Sequence, residues 1–590
     1  MKRFFSYLVF ASLVLFSFSQ AARAATFTVT PTSDNDCSDF DCDLQAALDV
    51  AATNNAADTV NIQSGNYNIL DNSDAPNTPY KYAPPPAENF SLTIVGMGTT
   101  PPTIDGNGAN QAMVIDTTGV ANPDDGEADI SVKGLAFQNG STLQAGGGLA
   151  IFTANADISV DDCSFFNNGA ALAGGGAELD STAGTGSLSL SNSQFDQNNA
   201  GNGGAANLHT DSGSLTVTGN TMTGNKATGG GVGAFDQFSN TGAVLCSGNF
   251  ISGNSAPSGG AGGAEIGSSG TVTVTDNIFL KNTAAGDDGG AEIFGNALDI
   301  NVTNNTFTGN TAGGNAGGFT LELDDVGVIG NVYNNIVWGN TAGGLGGDIF
   351  VENLGGTFNI FNTDYGILDC SVGSCGGSPT NINQDPLFVD LANGDVSLGI
   401  GSPCIDSGTT SAPGLPSVDF LGNPRTIGPE PDMGALESLP NFSATPATHD
   451  FGPILLGQSA STIITLSNNG ANVLNVTGMS LSDATDYSLD VNAGTNPCGS
   501  ETPTINAGES CTVGVDFNPQ SLGALPGTLT LTSDDPNNPS LVLAFTGTGS
   551  TFNVSGSGCS MSSTPGSLGG LYLLALPLVL MLRKKWIQRF

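Results

Sequence analysis

Two glutamates in matching copies of a repeated motif have the best placement for chemistry in this chain. Glu265 and Glu292 each follow a Gly-Gly-Ala sequence, and Asp287 and Asp288 precede the second of these motifs. If the two copies stack as neighbouring strands, the two glutamates lie about 5 Å apart. A carboxylate pair at this separation could share a proton, as in a glycosidase, or bind calcium together with the two aspartates.

The surroundings of this pair argue against catalysis. Glu178 occupies the same column in an earlier copy, with Ala206 and Gly233 between, which predicts an outward, solvent-tolerant position. The sequence shows no aromatic platform for a sugar beside the pair. His209 has no Ser or Cys partner in register with which to form a triad.

A lyase would also need an Arg or Lys base. The repeat region contains no Arg, and Lys133, Lys226 and Lys281 lie near turns. We therefore predict no enzyme activity, no catalytic residue and no cofactor. The alternative is a polysaccharide-active lyase or glycosidase that depends on calcium. For a calcium site the candidate ligands are Glu265, Asp287, Asp288 and Glu292.

The elements that must position these residues recur between positions 135 and 352. An aromatic or aliphatic residue is followed three positions later by Asn, and successive Asn positions are 30, 27, 29, 28, 28 and 30 residues apart. These asparagines are Asn168, Asn198, Asn225, Asn254, Asn282, Asn310 and Asn340. A second Asn column holds Asn220, Asn249, Asn277, Asn305 and Asn335. This is an internal repeat.

Each copy contains two apolar columns two residues apart, a pattern typical of a strand with one buried face. One column contains Val132, Val160, Leu190, Val217 and Cys246 and continues beyond them. Strands that return every 28 or so residues can stack only if the chain coils, so we predict a parallel β-helix of about ten rungs. We expect Asn to bond along ladders and to tolerate left-handed turns, and Gly-Gly to supply positive φ at another corner.

The two ends of the chain resemble export and sorting signals. Met1-Lys2-Arg3, an apolar run and Ala22-Arg23-Ala24 predict a signal peptide over 1–24, cut between Ala24 and Ala25. At the other end Gly558-Cys559 precedes an apolar transmembrane segment, 568–582, and a basic stop. This tail, 550–590, is similar to Gly-Cys sorting tails of Gram-negative bacteria. That resemblance implies a C-terminal sorting protease, membrane contact before sorting and display at the cell surface or outer membrane, or release.

Residues 25–90 are expected to form an N-terminal cap and first rung with a Pro-rich loop over 70–90. Cys42-Asp43-Leu44-Gln45-Ala46 resembles the Cys-Ser-Leu-Arg-Glu-Ala module of bacterial surface β-helix proteins, although three of its residues differ. The repeats of 91–369 resemble those of polymorphic outer membrane proteins, which are right-handed β-helices. Between 370 and 440, Asp385-Pro386-Leu387-Phe388 and the segments after it resemble the choice-of-anchor Q region. The resemblance implies a closing cap with Arg425 as an ion-pair organiser.

Residues 443–549 change to short alternating strands, which predict an immunoglobulin-like β-sandwich. Phe517-Asn518-Pro519 and Phe545-Thr546-Gly547 resemble the choice-of-anchor D domain, which is related to the abnormal-spindle and hydin type. The complete expectation is an all-β chain: a right-handed parallel β-helix followed by this sandwich.

Cysteine spacing and charge complete the sequence-based picture. Three cysteine pairs are close enough to close small loops, Cys37–Cys42, Cys370–Cys375 and Cys498–Cys511, whereas Cys246 belongs to an apolar column. A net charge of −42 argues against nucleic acid as a partner. We predict an exported, surface-anchored protein with a structural or adhesin-like role, whose partner is a glycan or another cell surface.

Overall fold

The computed structural model describes residues 24–31, 41–72, 74–86, 88–120, 129–181, 184–296, 298–323, 325–372 and 375–552. The signal peptide before Ala24, Cys37, the Gly558-Cys559 motif and the 568–582 segment lie outside the described residues. Within them the chain forms a β-solenoid of parallel strands followed by a β-sandwich, which confirms the predicted fold class.

Each turn of the solenoid contributes one strand to each of three long parallel sheets, and eight of the turns add a two-residue corner strand. Sheet I contains Asp41–Cys42, Thr26–Val29, Asp58–Ile62, Leu92–Gly96, Ile130–Lys133, Ile158–Asp161, Leu188–Ser191, Leu215–Thr218, Val244–Ser247, Val272–Thr275, Ile300–Thr303, Ile329–Tyr333 and Thr357–Phe361. Sheet II contains Asn66–Asn68, Thr103–Asp105, Ala136–Gln138, Ser164–Phe166, Gln194–Asp196, Thr221–Thr223, Phe250–Ser252, Ile278–Leu280, Thr306–Thr308, Ile336–Trp338 and Asp364–Tyr365. Sheet III contains Tyr80–Tyr82, Met113–Asp116, Leu149–Phe152, Ala177–Ser181, Ala206–Thr210, Phe235–Ser239, Ala264–Ser268, Ala291–Gly295, Phe319–Leu323, Ile349–Asn353 and Leu368–Cys370. The corner strands, sheet IV, are Ser141–Thr142, Gly169–Ala170, Asn199–Ala200, Lys226–Ala227, Ser255–Ala256, Thr283–Ala284, Thr311–Ala312 and Thr341–Ala342.

The residues of the two apolar columns pair with one another from strand to strand along sheet I. Val160 pairs with Leu190, Leu190 with Val217, and Val217 with Cys246, and all four are buried in one continuous core. In sheet II the rings of Phe165 and Phe195 stack at a centroid separation of 4.4 Å. Like residues therefore sit above like residues, which is the stacking that the repeat predicts.

Both Asn columns form buried ladders. In each ladder an Asn donates its side-chain amide to the carboxamide oxygen of the Asn on the next rung; for Asn225 and Asn254 the distance is 3.0 Å. The same oxygen accepts the backbone N–H of Asn225 at 2.9 Å. Hence each ladder side chain satisfies backbone groups that a buried turn would otherwise leave unpaired.

The expected reasons for the Asn and Gly columns need correction. The left-handed conformation belongs to the residue before the ladder Asn, such as Asn167 or Asn304, and not to the ladder Asn. Of the paired glycines, Gly203 has the expected positive φ, at 56°, whereas Gly175 and Gly289 do not. Gly175 and Gly289 are small because the next rung stacks close against them. A Cβ on Gly289 would lie 2.4 Å from the carbonyl oxygen of Gly317.

An α-helix, Leu44–Ala51, covers the N-terminal end of the core. Asp43 caps it by accepting the N–H of Ala46 at 2.9 Å, and Leu44 and Leu48 are buried. The interpretation of 70–90 as an outlying loop was wrong in part, because Tyr80–Tyr82 is a buried strand of sheet III. A short 3₁₀ helix, Ile69–Asp71, precedes it.

The segment 385–437, expected to close the solenoid, instead lies along its flank on the outer face of sheet II. Val396, Ala435 and Leu436 pack on Ile278 and Leu280. Polar side chains of the solenoid bond to its backbone, as Asn304 does to the carbonyl of Asp432 at 3.0 Å. Two antiparallel strands, Phe388–Asp390 and Asp395–Leu398, flank a 3₁₀ helix at Leu391–Asn393.

The β-sandwich has a separate core of its own. One sheet contains Phe442–Thr445, Ala460–Asn468, Ser510–Phe517 and Tyr487–Asp490. The other contains Thr448–Leu455, Ser540–Ser550, Gly527–Ser533, Leu474–Leu481 and Thr504–Ile505, with Gly523–Ala524 paired at its side. The pairing is antiparallel except between Thr448–Leu455 and Ser540–Ser550, which run parallel.

Among the described cysteines, Cys370 is bonded to Cys375 and Cys498 to Cys511. Cys42 is also disulfide-bonded, and the structure does not describe its expected partner, Cys37. Cys163, Cys246 and Cys404 are free and buried. In the part of the chain that the structure describes, no helix is long and apolar enough to cross a membrane.

Candidate functional site

The outer face of sheet III carries two columns of side chains, one for each outward position of its five-residue strands. The first column reads Glu178, Asn207, Asp236, Glu265, Glu292, Thr320 and Phe350. The second reads Asp180, His209, Phe238, Gly267, Phe294, Glu322 and Glu352. Glu265 and Glu292 are paired on adjacent rungs, as predicted. In the first column, however, the residues between Glu178 and Glu265 are Asn207 and Asp236, whereas Ala206 and Gly233 were expected there.

Six side chains of these columns line a recess of about 300 Å³, which we call the aromatic groove. They are Asn207, His209, Asp236, Phe238, Glu265 and Phe294. The Phe238 and Phe294 rings lie 5.9 Å apart and nearly parallel, at 19°. The expectation that no aromatic platform accompanies Glu265 is therefore wrong.

The aromatic pair depends on the glycine between its two members. Gly267 occupies the rung between Phe238 and Phe294, and a Cβ on it would lie 2.0 Å from the ring of Phe294. The Phe294 ring thus fills the space above Gly267 and reaches toward Phe238. The His209 ring meets the Phe238 ring edge-on, with 5.4 Å between their centroids.

The two carboxyl groups of the aromatic groove have different surroundings. Asp236 accepts a hydrogen bond of 2.6 Å from the Asn202 amide; burial raises its pKa, while this bond and His209 oppose the rise. Burial and the neighbouring charges of Asp236 and Glu292 raise the pKa of Glu265 to about 8. Hence Glu265 keeps its proton near neutral pH.

A second recess, about 240 Å³, lies beside the aromatic groove and is strongly acidic. Asp287, Asp288, Glu292, Glu322 and Glu352 line it. Asp288 is bound to the Thr320 hydroxyl, and burial together with the charge of Glu292 raises its pKa well above the usual value. We call this recess the acidic pocket.

The structure brings three of the four calcium candidates together. Asp287, Asp288 and Glu292 share the acidic pocket, whereas Glu265 lines the aromatic groove. Among the described residues, no group of three or more His, Cys, Asp or Glu side chains is arranged to hold a metal ion. Asp287 is engaged instead by the N–H of Asn315 at 2.5 Å.

Glu178 is not the solvent-tolerant residue that the sequence suggested. Its side chain is 4% exposed, one oxygen accepts the Asn207 amide at 2.9 Å, and the other has no hydrogen-bond partner. Burial raises its pKa to about 8. Glu178 is therefore a neutral, buried carboxyl beneath the turn at Gly174.

Cationic side chains near the solenoid have structural partners. Lys133 forms an ion pair with Asp161 at 2.7 Å, and Lys281 donates to the carbonyls of Leu391 and Ala392 in the flanking segment. Arg425 is buried and contacts Asp276 and Glu437. In this arrangement none of the three lies in the aromatic groove.

One family model matches the C-terminal part of the chain. Residues 436–541 match the family model described as abnormal spindle-like microcephaly-associated, ASPM-SPD-2-Hydin (ASH), so the sandwich is an immunoglobulin-like ASH domain. No curated protein matches the chain.

Three solved structures that resemble the chain each cover about a fifth of it. The VesB protease of Vibrio cholerae is 23% identical over 19% of this chain and 32% of its own, with a TM-score of 0.16. The ASH/PapD-like domain of human CEP192 is 12% identical over 19% of this chain and 86% of its own, with a TM-score of 0.15. A Porphyromonas gingivalis W83 protein of unknown function is 15% identical over 19% of this chain and 46% of its own, with a TM-score of 0.16.

Proposed function

We propose that this chain is an exported, surface-displayed scaffold with an adhesin-like role and without catalytic activity. The observation that carries the proposal is the commitment of its recurring residues to stacking. The apolar columns fill the core, the Asn columns bond between rungs, and the glycine column permits close approach. The result is a long, regular body joined to an ASH domain, an architecture suited to presenting a surface.

A buried carboxylate at the start of the solenoid supports removal of a signal peptide after Ala24. Asp58 is 4% exposed and accepts the N–H of Ala25 at 2.9 Å, and its second oxygen has no partner among the described residues. Cleavage after Ala24 would convert this N–H into an ammonium group. A positive charge at that point would balance Asp58.

The acidic surface and the C-terminal residues support display outside the cell. The net charge of −42 disfavours contact with nucleic acid and anionic lipid. In the proposal, a sorting protease acts near Gly558-Cys559, and the apolar 568–582 segment holds the chain in the membrane until then.

The test is cell fractionation combined with intact mass of the mature protein. The proposal predicts surface-exposed or released protein that begins at Ala25 and ends near Cys559. Intracellular protein with both ends intact would contradict it.

The absence of catalysis is tested by incubating the purified protein with a panel of polysaccharides. Release of reducing or unsaturated sugar that Glu292→Gln or Glu265→Gln abolishes would overturn that part.

A further inference from the structure

The aromatic groove differs from the rest of the solenoid surface because its residues do not serve the stacking. Phe238 and Phe294 point outward from sheet III and are partly exposed, although the inward positions of the same strands could have held them. They stand among polar and charged neighbours, Asn207, His209, Asp236 and Glu265. A recess lined by aromatic side chains and a few convergent polar groups is the usual form of a small-molecule site.

The aromatic pair fits the apolar face of a sugar ring. Aromatic faces carry negative electrostatic potential, and the C–H groups on one face of a pyranose are weakly positive and poorly hydrated. Both rings are partly exposed, and with centroids 5.9 Å apart and planes inclined by 19° they offer one apolar patch that a C–H face can contact. Such a surface favours an oligosaccharide over a single small ion.

The polar groups beside the pair supply both kinds of hydrogen bond that sugar hydroxyls need. Glu265 holds its proton near neutral pH and donates, and the Asp236 carboxyl, which already takes a hydrogen bond from Asn202, offers a further acceptor oxygen. Asn207 offers both a donor and an acceptor. Because Asn202 fixes Asp236 at 2.6 Å, the acceptor is held in place before any ligand arrives.

Charge decides between sugar classes. Asp236 lies in the aromatic groove and Glu292 is the rung neighbour of Glu265 in the adjoining acidic pocket. No Lys or Arg lines either recess. A uronate or sulfated glycan would face the carboxyl groups of both recesses with His209 as the one basic side chain in their lining, whereas an uncharged glycan meets no such repulsion.

We propose that the aromatic groove binds an uncharged oligosaccharide, with Phe238 and Phe294 as the stacking surface and Asp236 and Glu265 as hydrogen-bonding partners. The inference rests on the adhesin-like role proposed above and names the class of its ligand. The sugar binds and leaves unchanged.

The experiment measures binding of the purified mature protein to immobilised cello-, manno-, galacto- and N-acetylglucosamine oligosaccharides, followed by calorimetry on the best binder. Oligogalacturonate and heparin serve as anionic comparators. Phe238→Ala and Phe294→Ala are expected to weaken binding at least tenfold. The matched control is Phe166→Ala, which removes a partly exposed Phe from the outer face of sheet II, far from the aromatic groove. Phe166→Ala is expected to bind with an affinity within twofold of that of the unsubstituted protein.

Two further variants separate binding from folding. Gly267→Ala adds a methyl group where the Phe294 ring lies, so it should displace the ring and weaken binding while circular dichroism stays unchanged. Glu265→Gln keeps a donor at that position and should retain binding within threefold, whereas Glu265→Leu should lose it.

The outcomes separate the inference from the proposed function. Absence of binding to every uncharged glycan, stronger binding of an anionic comparator, or equal losses for Phe166→Ala and Phe238→Ala would overturn the inference and leave surface display untouched. Binding accompanied by release of reducing sugar would support the groove as a glycan site and overturn the non-catalytic role.

Discussion

Glu265 and Glu292 are register partners on adjacent strands of sheet III, yet their side chains line different recesses. Glu265 faces Phe238 and Phe294, whereas Glu292 faces Asp288 and the other carboxylates of the acidic pocket. The pair that the sequence offered as one site is therefore divided. The partner that shares a recess with Glu265 is Asp236, one rung earlier.

Glu178→Gln should make the solenoid more stable at pH 8 than the unsubstituted protein. Burial raises the pKa of Glu178 to about 8 from about 4.5 in the unfolded chain, so the folded form binds one more proton between these values. The stability that this proton contributes is complete below pH 4.5 and is lost as pH rises to about 8, by about 1.4 kcal/mol per pH unit.

Chemical unfolding followed by circular dichroism at pH 5, 6.5 and 8 checks this expectation. The difference between the Gln variant and the unsubstituted protein should grow with pH in favour of the variant. Asp211→Asn, at an exposed position, is the control and should show no such growth. If the unfolding free energies of Glu178→Gln and of the unsubstituted protein change equally with pH, Glu178 is not a neutral buried carboxyl.

Asp58→Asn should destabilise the protein that begins at Ala25 by about 1–3 kcal/mol, because the variant no longer balances the N-terminal ammonium. The same substitution should cost less when Ala25 is preceded by another residue, since the amide then carries no charge. Thermal unfolding of the two N-terminal forms, each with Asp58 and with Asn, measures the coupling. Equal costs in both forms would show that no ion pair forms there.

The repeat made the interior of the solenoid predictable and left its outer face uncertain. Val217, Cys246 and the Asn ladders recur in fixed phase because each position has one structural task, so column alignment places them correctly. Gly203-Gly204 resembles Gly262-Gly263, but the structure stacks Gly204, not Gly203, in line with Gly262. Ala206 is therefore one residue from the true neighbour, Asn207, and Gly233 is three residues from Asp236. A slip of one residue moves every side chain of a strand to the opposite face.

A better anchor for the alignment exists in the sequence. The glycines Gly175, Gly204, Gly233 and Gly262 stack on one another, and counting from them places Asp236 beside Glu265 and Phe238 two residues further on. The flank position of 385–437 had no comparable signal. Its contacts to Asn304 and Asp276 span more than a hundred residues, and nothing in the repeat indicates which distant segment Asn304, Asn334 and Asn362 bind.

Asn254→Ala should destabilise the solenoid by at least about 3 kcal/mol, because it removes four hydrogen bonds and leaves the buried N–H of Asn225 unpaired. Hydrogen exchange should show lost protection at the two neighbouring rungs and normal protection at the ASH domain. The control, Asn240→Ala, removes one bond at an exposed turn and should cost less than about 1 kcal/mol. If Asn254→Ala and Asn240→Ala lower the unfolding free energy by similar amounts, the Asn ladder does not stabilise the solenoid as described.

Gly289→Ala should be strongly destabilising even though Gly289 has an ordinary backbone conformation. Its Cβ would lie 2.4 Å from the Gly317 carbonyl and 2.7 Å from the backbone of Thr311, neither of which can rotate away. We expect a loss of about 3 kcal/mol or more in unfolding free energy. Gly119→Ala, where a Cβ would meet no atom within 4 Å, should be nearly neutral. If both variants unfold at the same denaturant concentration, the rungs are not in close contact.

Arg425→Met should release the flanking segment from the solenoid. Arg425 is 2% exposed; it contacts Asp276 of the solenoid, bonds to Glu437 at 3.1 Å and donates to the carbonyls of Gly434 and Ala435. Burial raises the pKa of Glu437 to about 9, and Arg425 opposes that rise, so removal of the cation favours the neutral acids. Breaking a buried pair of this kind costs about 3–5 kcal/mol.

Because the solenoid core lies on the other side of sheet II, the expected loss is local. Hydrogen exchange should increase in Ile278–Leu280 and in 425–437, while the Asn ladders keep their protection. Arg425→Lys retains the charge but not the forked geometry, so it should give an intermediate effect. Limited proteolysis should then cut Arg425→Met within 385–437 and leave the rungs whole. Unfolding of the entire solenoid by Arg425→Met would show instead that the flanking segment is part of the core's cooperative unit.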